Sequence, residues 1–205
     1  MRRPRRASLW QARSPMRIAA AILLSLLLGL GSAFLAIRGG LAASGVANGP
    51  WRTNLTTGSA DADLYTRARV AVAGLLALAP SETIYFTAAT DDAGKPLSAR
   101  CDYSLAGGEL PARWWSITAY AADHFLISND ADRYSLGQTT LERDAGGGWT
   151  ARLSAQPSAG NWLPSGNPGG TGELSLTLRL YNPDPSVAAD PGRAPLPKIT
   201  REACR

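Results

Sequence analysis

Between Ile18 and Ile37 the chain reads IAAAILLSLLLGLGSAFLAI, 20 residues without a charge, and no other feature limits its folding as much. At about 1.5 Å per residue a helix of this length spans about 30 Å, the thickness of a bilayer's hydrocarbon core. Ser25 and Ser32 are its only clearly polar side chains. A secretory signal peptide has a shorter apolar region, about 7–15 residues, followed by a small-x-small cleavage site. Leu41-Ala42-Ala43 fits that pattern poorly, so the expectation is an uncleaved signal anchor, with a cleaved peptide as the competing reading. Gly29 and Gly31 are two apart and do not form a GxxxG face, so they imply no partner helix.

Charge orients this segment. Arg2, Arg3, Arg5, Arg6, Arg13 and Arg17 precede it, Arg38 follows, and no acid lies before residue 39. The positive-inside rule then keeps residues 1–17 in the cytoplasm and carries the rest across the membrane. The remaining 14 Lys and Arg sit with all 16 Asp and Glu, so the exported part is faintly acidic and no nucleic-acid partner is expected. Residues 38–50, small and Gly-rich, read as a tether: fully stretched, the 12 residues 39–50 reach about 40 Å, holding the domain near the membrane.

Residues 51–205 form the expected domain. Leu64, Ala68, Val72, Leu75, Leu76 and Ala79 recur at helical spacing between Ser59, read as an N-cap, and Pro80, predicting an amphipathic helix over 61–79 packed on a sheet. From residue 82 the period falls to two. Strands are predicted over Thr83–Ala88, Leu97–Leu105, Arg113–Ala121, Phe125–Ser128, Trp149–Leu153 and Leu174–Tyr181, with a hairpin turn at Asp91–Pro96. Antiparallel strands with Gly/Pro-rich turns argue for a mainly β domain, a β-sandwich or jelly roll with one packed helix. Residues 158–172, with five Gly and two Pro, read as a long irregular loop.

The stretches Asn48-Gly49-Pro50-Trp51, Cys101-Asp102-Tyr103, Trp114-Trp115-Ser116-x-Thr118-x-Tyr120, Arg133-Tyr134-Ser135, Asn161-Trp162-Leu163-Pro164 and Arg179-Leu180-Tyr181-x-Pro183 carry a resemblance. Over residues 48–204 the chain resembles the bacterial family of domain of unknown function 1214. It looks like that family's short, membrane-anchored branch, which lacks the companion 1254 domain of longer relatives. The resemblance implies a β-rich, jelly-roll-like fold, and brings no catalytic or binding residues with it.

Candidate chemistry is sparse. Cys101 lies on an apolar strand face and Cys204 is the penultimate residue; an exported location favours their pairing, the alternative being two free thiols. His124, the only imidazole, has Asp123 beside it, but neighbours on a strand point to opposite faces, which makes a triad unfavourable. Two Cys and one His exclude a four-ligand Cys/His zinc site, and no metal or cofactor is expected. Asp91 and Asp92, like Asp130 and Asp132, read as turn residues that could also ligate calcium. Trp114, Trp115, Tyr120, Trp149, Trp162 and Tyr181 either fill the core or, near Arg100, Arg152 or Arg179, stack on a ligand; Trp114 and Trp115 cannot both enter one core from one strand.

The resulting expectation is a single-pass protein of the bacterial inner membrane, in contact with lipid through residues 18–37, with a periplasmic domain. Its role is expected to be non-catalytic binding of a ligand or partner that the sequence does not identify. The alternative is an envelope carbohydrate- or lipid-modifying hydrolase with a carboxylate/Arg cleft lined by aromatics.

Overall fold

A computed structural model of the chain describes residues 15–38, 45–72, 74–166 and 172–205 and separates two units, Met1–Gly39 and Gly40–Arg205. In the first unit the apolar run forms helix α1 (Pro15–Arg38), with proline at a first-turn position where its missing N–H costs nothing. None of the apolar window is buried within the protein, and the helix is long and apolar enough to cross a membrane. Ser32 Oγ donates to the Gly29 carbonyl at 3.0 Å, so this polar side chain is satisfied inside the helix. The basic residues 1–14, residues 39–44 of the expected tether and residues 167–171 of the expected long loop lie outside the described residues.

The second unit is a β-sandwich whose central strand is the cleanest alternation in the sequence. In β9 (Leu174–Pro183), Leu174, Leu176, Leu178 and Leu180 are buried on the inner face. β9 pairs on one side with β3 (Thr83–Ala88) and on the other with β5 (Ala112–Ala121), placing Phe86, Leu178 and Ile117 in one buried row. With β1 (Val46–Asn48), β2 (Trp51–Thr53) and β6 (Ser135–Gly137) these make a six-stranded antiparallel sheet, ordered β1-β2-β3-β9-β5-β6. The second sheet is ordered β10-β4-β7-β8, from β4 (Cys101–Gly107), β7 (Trp149–Ser154), β8 (Trp162–Pro164) and β10 (Lys198–Cys204); only the β7–β8 pair is parallel. Trp115 on β5 stacks on Trp149 on β7 with centroids 5.2 Å apart, closing the core between the sheets. There is no closed barrel, and a short helix α3 (Pro185–Ala189) with a 3-10 turn (Pro191–Arg193) leads from β9 to β10.

Four local expectations are corrected. The helix expected over 61–79 is α2 (Leu64–Val72), because Asp63 rather than Ser59 caps it and Gly74, at φ +65°, ends it. There Gly74 N–H donates to Ala71 O and Leu75 N–H to Val70 O, the paired bonds of a glycine-stopped helix. Within α2 only Thr66 is buried, so the apolar stripe lies at the surface instead of on a sheet. Second, Asp91–Pro96 does make a tight turn, with Thr90 bridging Pro96, but β3 and β4 then enter different sheets and form no hairpin.

Third, Phe125–Ser128 is not a strand and has a single bridge, Tyr120 to Leu126. Buried Asn129 takes up the following backbone groups: its amide donates to Ile127 O and Arg133 O, and its oxygen accepts from Ala131 and Arg133 N–H. Fourth, the end of the expected tether belongs to the fold. Asn48 Nδ2 donates to Pro191 O and Ala194 O, and a Cβ on Gly45 would lie 2.2 Å from Thr53 O, so glycine is required there.

Candidate functional site

The residues that could meet a ligand converge on the outer face of the six-stranded sheet. Alternation along β5 sends Trp115, Ile117 and Ala119 inward and Trp114, Ser116, Thr118 and Tyr120 outward. The same rule on β9 turns Ser175, Thr177, Arg179 and Tyr181 to that side, with Thr177 buried and the other three half-buried. Register pairs Trp114 with Tyr181, Ser116 with Arg179 and Thr118 with Thr177, while Tyr85 of β3 faces Arg179 from the opposite flank. The result is a floor of small hydroxyl side chains with aromatics and one guanidinium standing on it.

Arg179 is the chemical centre of this face. Its Nη1 donates to Thr118 Oγ1 at 3.0 Å and its Nη2 to Tyr120 Oη, and the guanidinium lies 5.6 Å from the Tyr120 ring centroid. Among the described residues no carboxylate lies within ion-pairing distance of it. A guanidinium has five N–H donors, and those not engaged by hydroxyls remain for an anion. Trp114 and Tyr181 pack at 5.2 Å and 49° alongside. Trp114 holds this position because Gly137 on β6 leaves room: a Cβ there would come within 2.8 Å of the indole.

The other candidate residues are dispersed. Trp115 and Trp149 belong to the core, whereas Trp162 carries Arg133 over its ring at 5.7 Å. His124 is exposed in a turn at φ +68°, and the Asp123 carboxylate accepts from Phe125 N–H. Asp91 and Asp92 serve the turn and also pin β10: Asp91 accepts from Arg201 at 2.8 Å and Asp92 from Ile199 N–H at 2.8 Å. Among the described residues, no three His, Cys, Asp or Glu side chains gather as a metal site would require. Cys101 and Cys204 face each other across β4 and β10 and are joined, S–S 1.98 Å.

A cavity of about 500 Å³ lies over the four-stranded sheet, reached by Ser104, Glu142, Asp144, Thr150, Arg152 and Glu202. Most of its charges are engaged with other charged groups or with the backbone. Arg152 pairs with Asp102 at 3.0 Å and Glu202 at 3.7 Å, and Asp144 accepts from Gly146 and Gly148 N–H. Its one aromatic, Trp149, is 3% exposed. An aromatic-lined carboxylate cleft, which the hydrolase alternative needs, finds no support there.

The chain aligns with the crystal structure of the VPA0106 protein from Vibrio parahaemolyticus at 22% identity and TM-score 0.58, covering 93% of this chain and 46% of that one. An uncharacterized protein from Burkholderia cenocepacia aligns at 19% identity and TM-score 0.42, covering 93% of this chain and 43% of that one. The chain thus spans less than half of either structure, and at this identity the first likeness is one of fold. No curated protein matches. The strands that present Tyr85, Trp114, Tyr120, Arg179 and Tyr181 all fall within residues 82–185, which match the family described as "Protein of unknown function (DUF1214)", and the chain belongs to that family.

Proposed function

We propose that this protein is anchored in the bacterial inner membrane by α1, N-terminus inside, and that its periplasmic sandwich binds a carboxylate- or phosphate-bearing ligand without transforming it. The observation that carries the reading is Arg179: a guanidinium fixed by Thr118 and Tyr120, beside the Trp114–Tyr181 pair, with no ion-pair partner among the described residues. Such an arrangement suits an oxyanion attached to a planar or apolar body, since charge-assisted bonds fix the anion and the rings take the rest. Arg-rich flanking sequence before α1 supports the orientation.

Binding is tested on the full chain in detergent, following the side-chain N–H signals of Arg179 and Trp114 by NMR. Benzoate and inorganic phosphate are the probes. Saturable shifts of both signals are expected, with Arg179→Gln weakening binding at least tenfold and Tyr120→Phe several-fold, in line with about 1.5–3 kcal/mol for a charge-assisted bond. Unshifted signals, or undiminished affinity in Arg179→Gln, would rule the site out. A C-terminal alkaline phosphatase fusion reports topology separately: activity is expected, and an inactive fusion would reverse the orientation.

A further inference from the structure

The six strands of the larger sheet carry Arg52, Arg113 and Arg179 and no Asp or Glu. Of the acids that flank these strands in sequence, Glu109 is paired with Arg143 at 3.0 Å. Glu82, Asp123, Asp132, Glu173 and Asp184 lie beyond strand ends, three or more residue steps (about 10 Å) along the sheet from the Arg179 row. Register lines up the outward side chains. Arg52, Thr87, Thr177, Thr118 and Ser135 form one row across five strands. Tyr85, Arg179 and Ser116 form the next, which Gly137 continues without a side chain.

Two of these hydroxyls are left over by the fold. Ser116 and Thr177 are each 6% exposed, and among the described residues neither side-chain oxygen has a hydrogen-bond partner. Neither is sealed from solvent, unlike Thr83 Oγ1 at the end of the same face. Ser116 lies directly opposite Arg179, and Thr177 is two residues from it on the same side of β9. Polar groups this deep normally have partners, so the pair points to a ligand that supplies them.

The ligand's chemistry follows from its surroundings. The spare N–H groups of Arg179 take an acid, and a sugar ring offers hydroxyls to Ser116 and Thr177 and an apolar C–H face to the Trp114–Tyr181 pair. An aromatic acid would leave both hydroxyls unpaired. Arg52 and Arg179 are two strand spacings and one same-face step apart, about 12 Å between Cα atoms, so each meets its own anion. One guanidinium per anion matches the single charge and planar fork of a carboxylate.

We infer that this face binds an acidic oligosaccharide of the uronic-acid class, with one carboxylate on Arg179, a second on Arg52, and ring hydroxyls on Ser116 and Thr177. The inference rests on the anion site proposed above and gives its ligand a class.

The test titrates the full chain in a sugar-free detergent, following the Arg179 and Trp114 side-chain N–H signals. The probes are galacturonate, trigalacturonate, galactose, galactose 6-phosphate and benzoate. Galacturonate should bind more tightly than benzoate or the 6-phosphate, and galactose at least tenfold more weakly than galacturonate. Ser116→Ala and Thr177→Val should each lower the preference for galacturonate over benzoate about fivefold, the worth of one hydrogen bond, with circular dichroism unchanged. Trigalacturonate should bind at least tenfold more tightly than the monomer, and Arg52→Gln, at an exposed position, should remove that advantage. Benzoate binding with no response to either uronate would overturn the saccharide assignment and leave the anion site standing. No response to any acid would overturn both. Equal affinity for galactose and galacturonate, or tighter binding of the 6-phosphate, would overturn the carboxylate assignment. A galacturonate preference that survives both hydroxyl substitutions would overturn the saccharide assignment, and a trimer no tighter than the monomer would overturn the role of Arg52.

Discussion

Asp63 illustrates how much one side chain settles. Its carboxylate accepts from the Thr66 hydroxyl at 2.6 Å and from the N–H groups of Tyr65 and Thr66, which fixes where α2 begins. The Thr66 hydroxyl first, then these amides, hold its pKa below the usual carboxylate value. Because the folded-state pKa is depressed, the contribution to α2 is present above the ordinary value of about 3.9 and is lost as pH falls through the lower folded one. NMR titration of the Asp63 carboxyl should therefore give a midpoint below about 3.9, and Thr66→Val should move it back up. A midpoint unchanged by Thr66→Val would show that the hydroxyl contributes nothing. Residue identity alone did not single out Arg179. Arg100, Arg152 and Arg179 read alike in sequence, yet Arg152 pairs with Asp102 and Glu202, and Arg100 donates to the backbone oxygen of Arg205. Only Arg179 stands over hydroxyls and a ring.

Among the elements, β10 gained most from distant contacts. Lys-Ile-Thr-Arg-Glu-Ala-Cys has no convincing alternation, and only Ile199 is buried in it. The strand exists because Asp91, Asp92 and β4 hold it, and because Cys204 is bonded to Cys101 across a sequence separation of 103. In the chain-entropy account a crosslink closing a loop of this size restricts the unfolded chain by about 4–5 kcal/mol. Urea unfolding of the full chain with and without dithiothreitol should show a lower midpoint for the reduced form and little change in the folded spectrum. An unmoved midpoint would mean that ion pairs such as Arg205–Asp102 at 2.9 Å hold the tail without the crosslink. The short strands β1, β2, β6 and β8 escaped the periodicity for a related reason: three residues show no period, and only their partners make them strands.

At the level of the whole molecule, stability resides where the two inner faces meet. Leu178 is fully buried on the central strand between Phe86 and Ile117, whereas Val72 is exposed on α2. Leu178→Ala should cost about 2–5 kcal/mol in urea unfolding, and Val72→Ala should stay within about 0.5 kcal/mol of wild type. Comparable losses for the two would mean that α2 packs onto the sandwich after all. The sequence by itself determined the apolar helix and the main strands, because hydropathy over 20 residues and a period of two are local properties of the chain. It also determined that one of Trp114 and Trp115 had to leave the core. Tertiary structure alone decided that β3 and β4 part into different sheets, that Gly74 ends α2 with its stripe outward, and that Arg179 sits among Thr118, Tyr120, Trp114 and Tyr181. The first and last of these depend on which strand lies beside which, and pairing between residues more than 50 apart leaves no mark on local spacing.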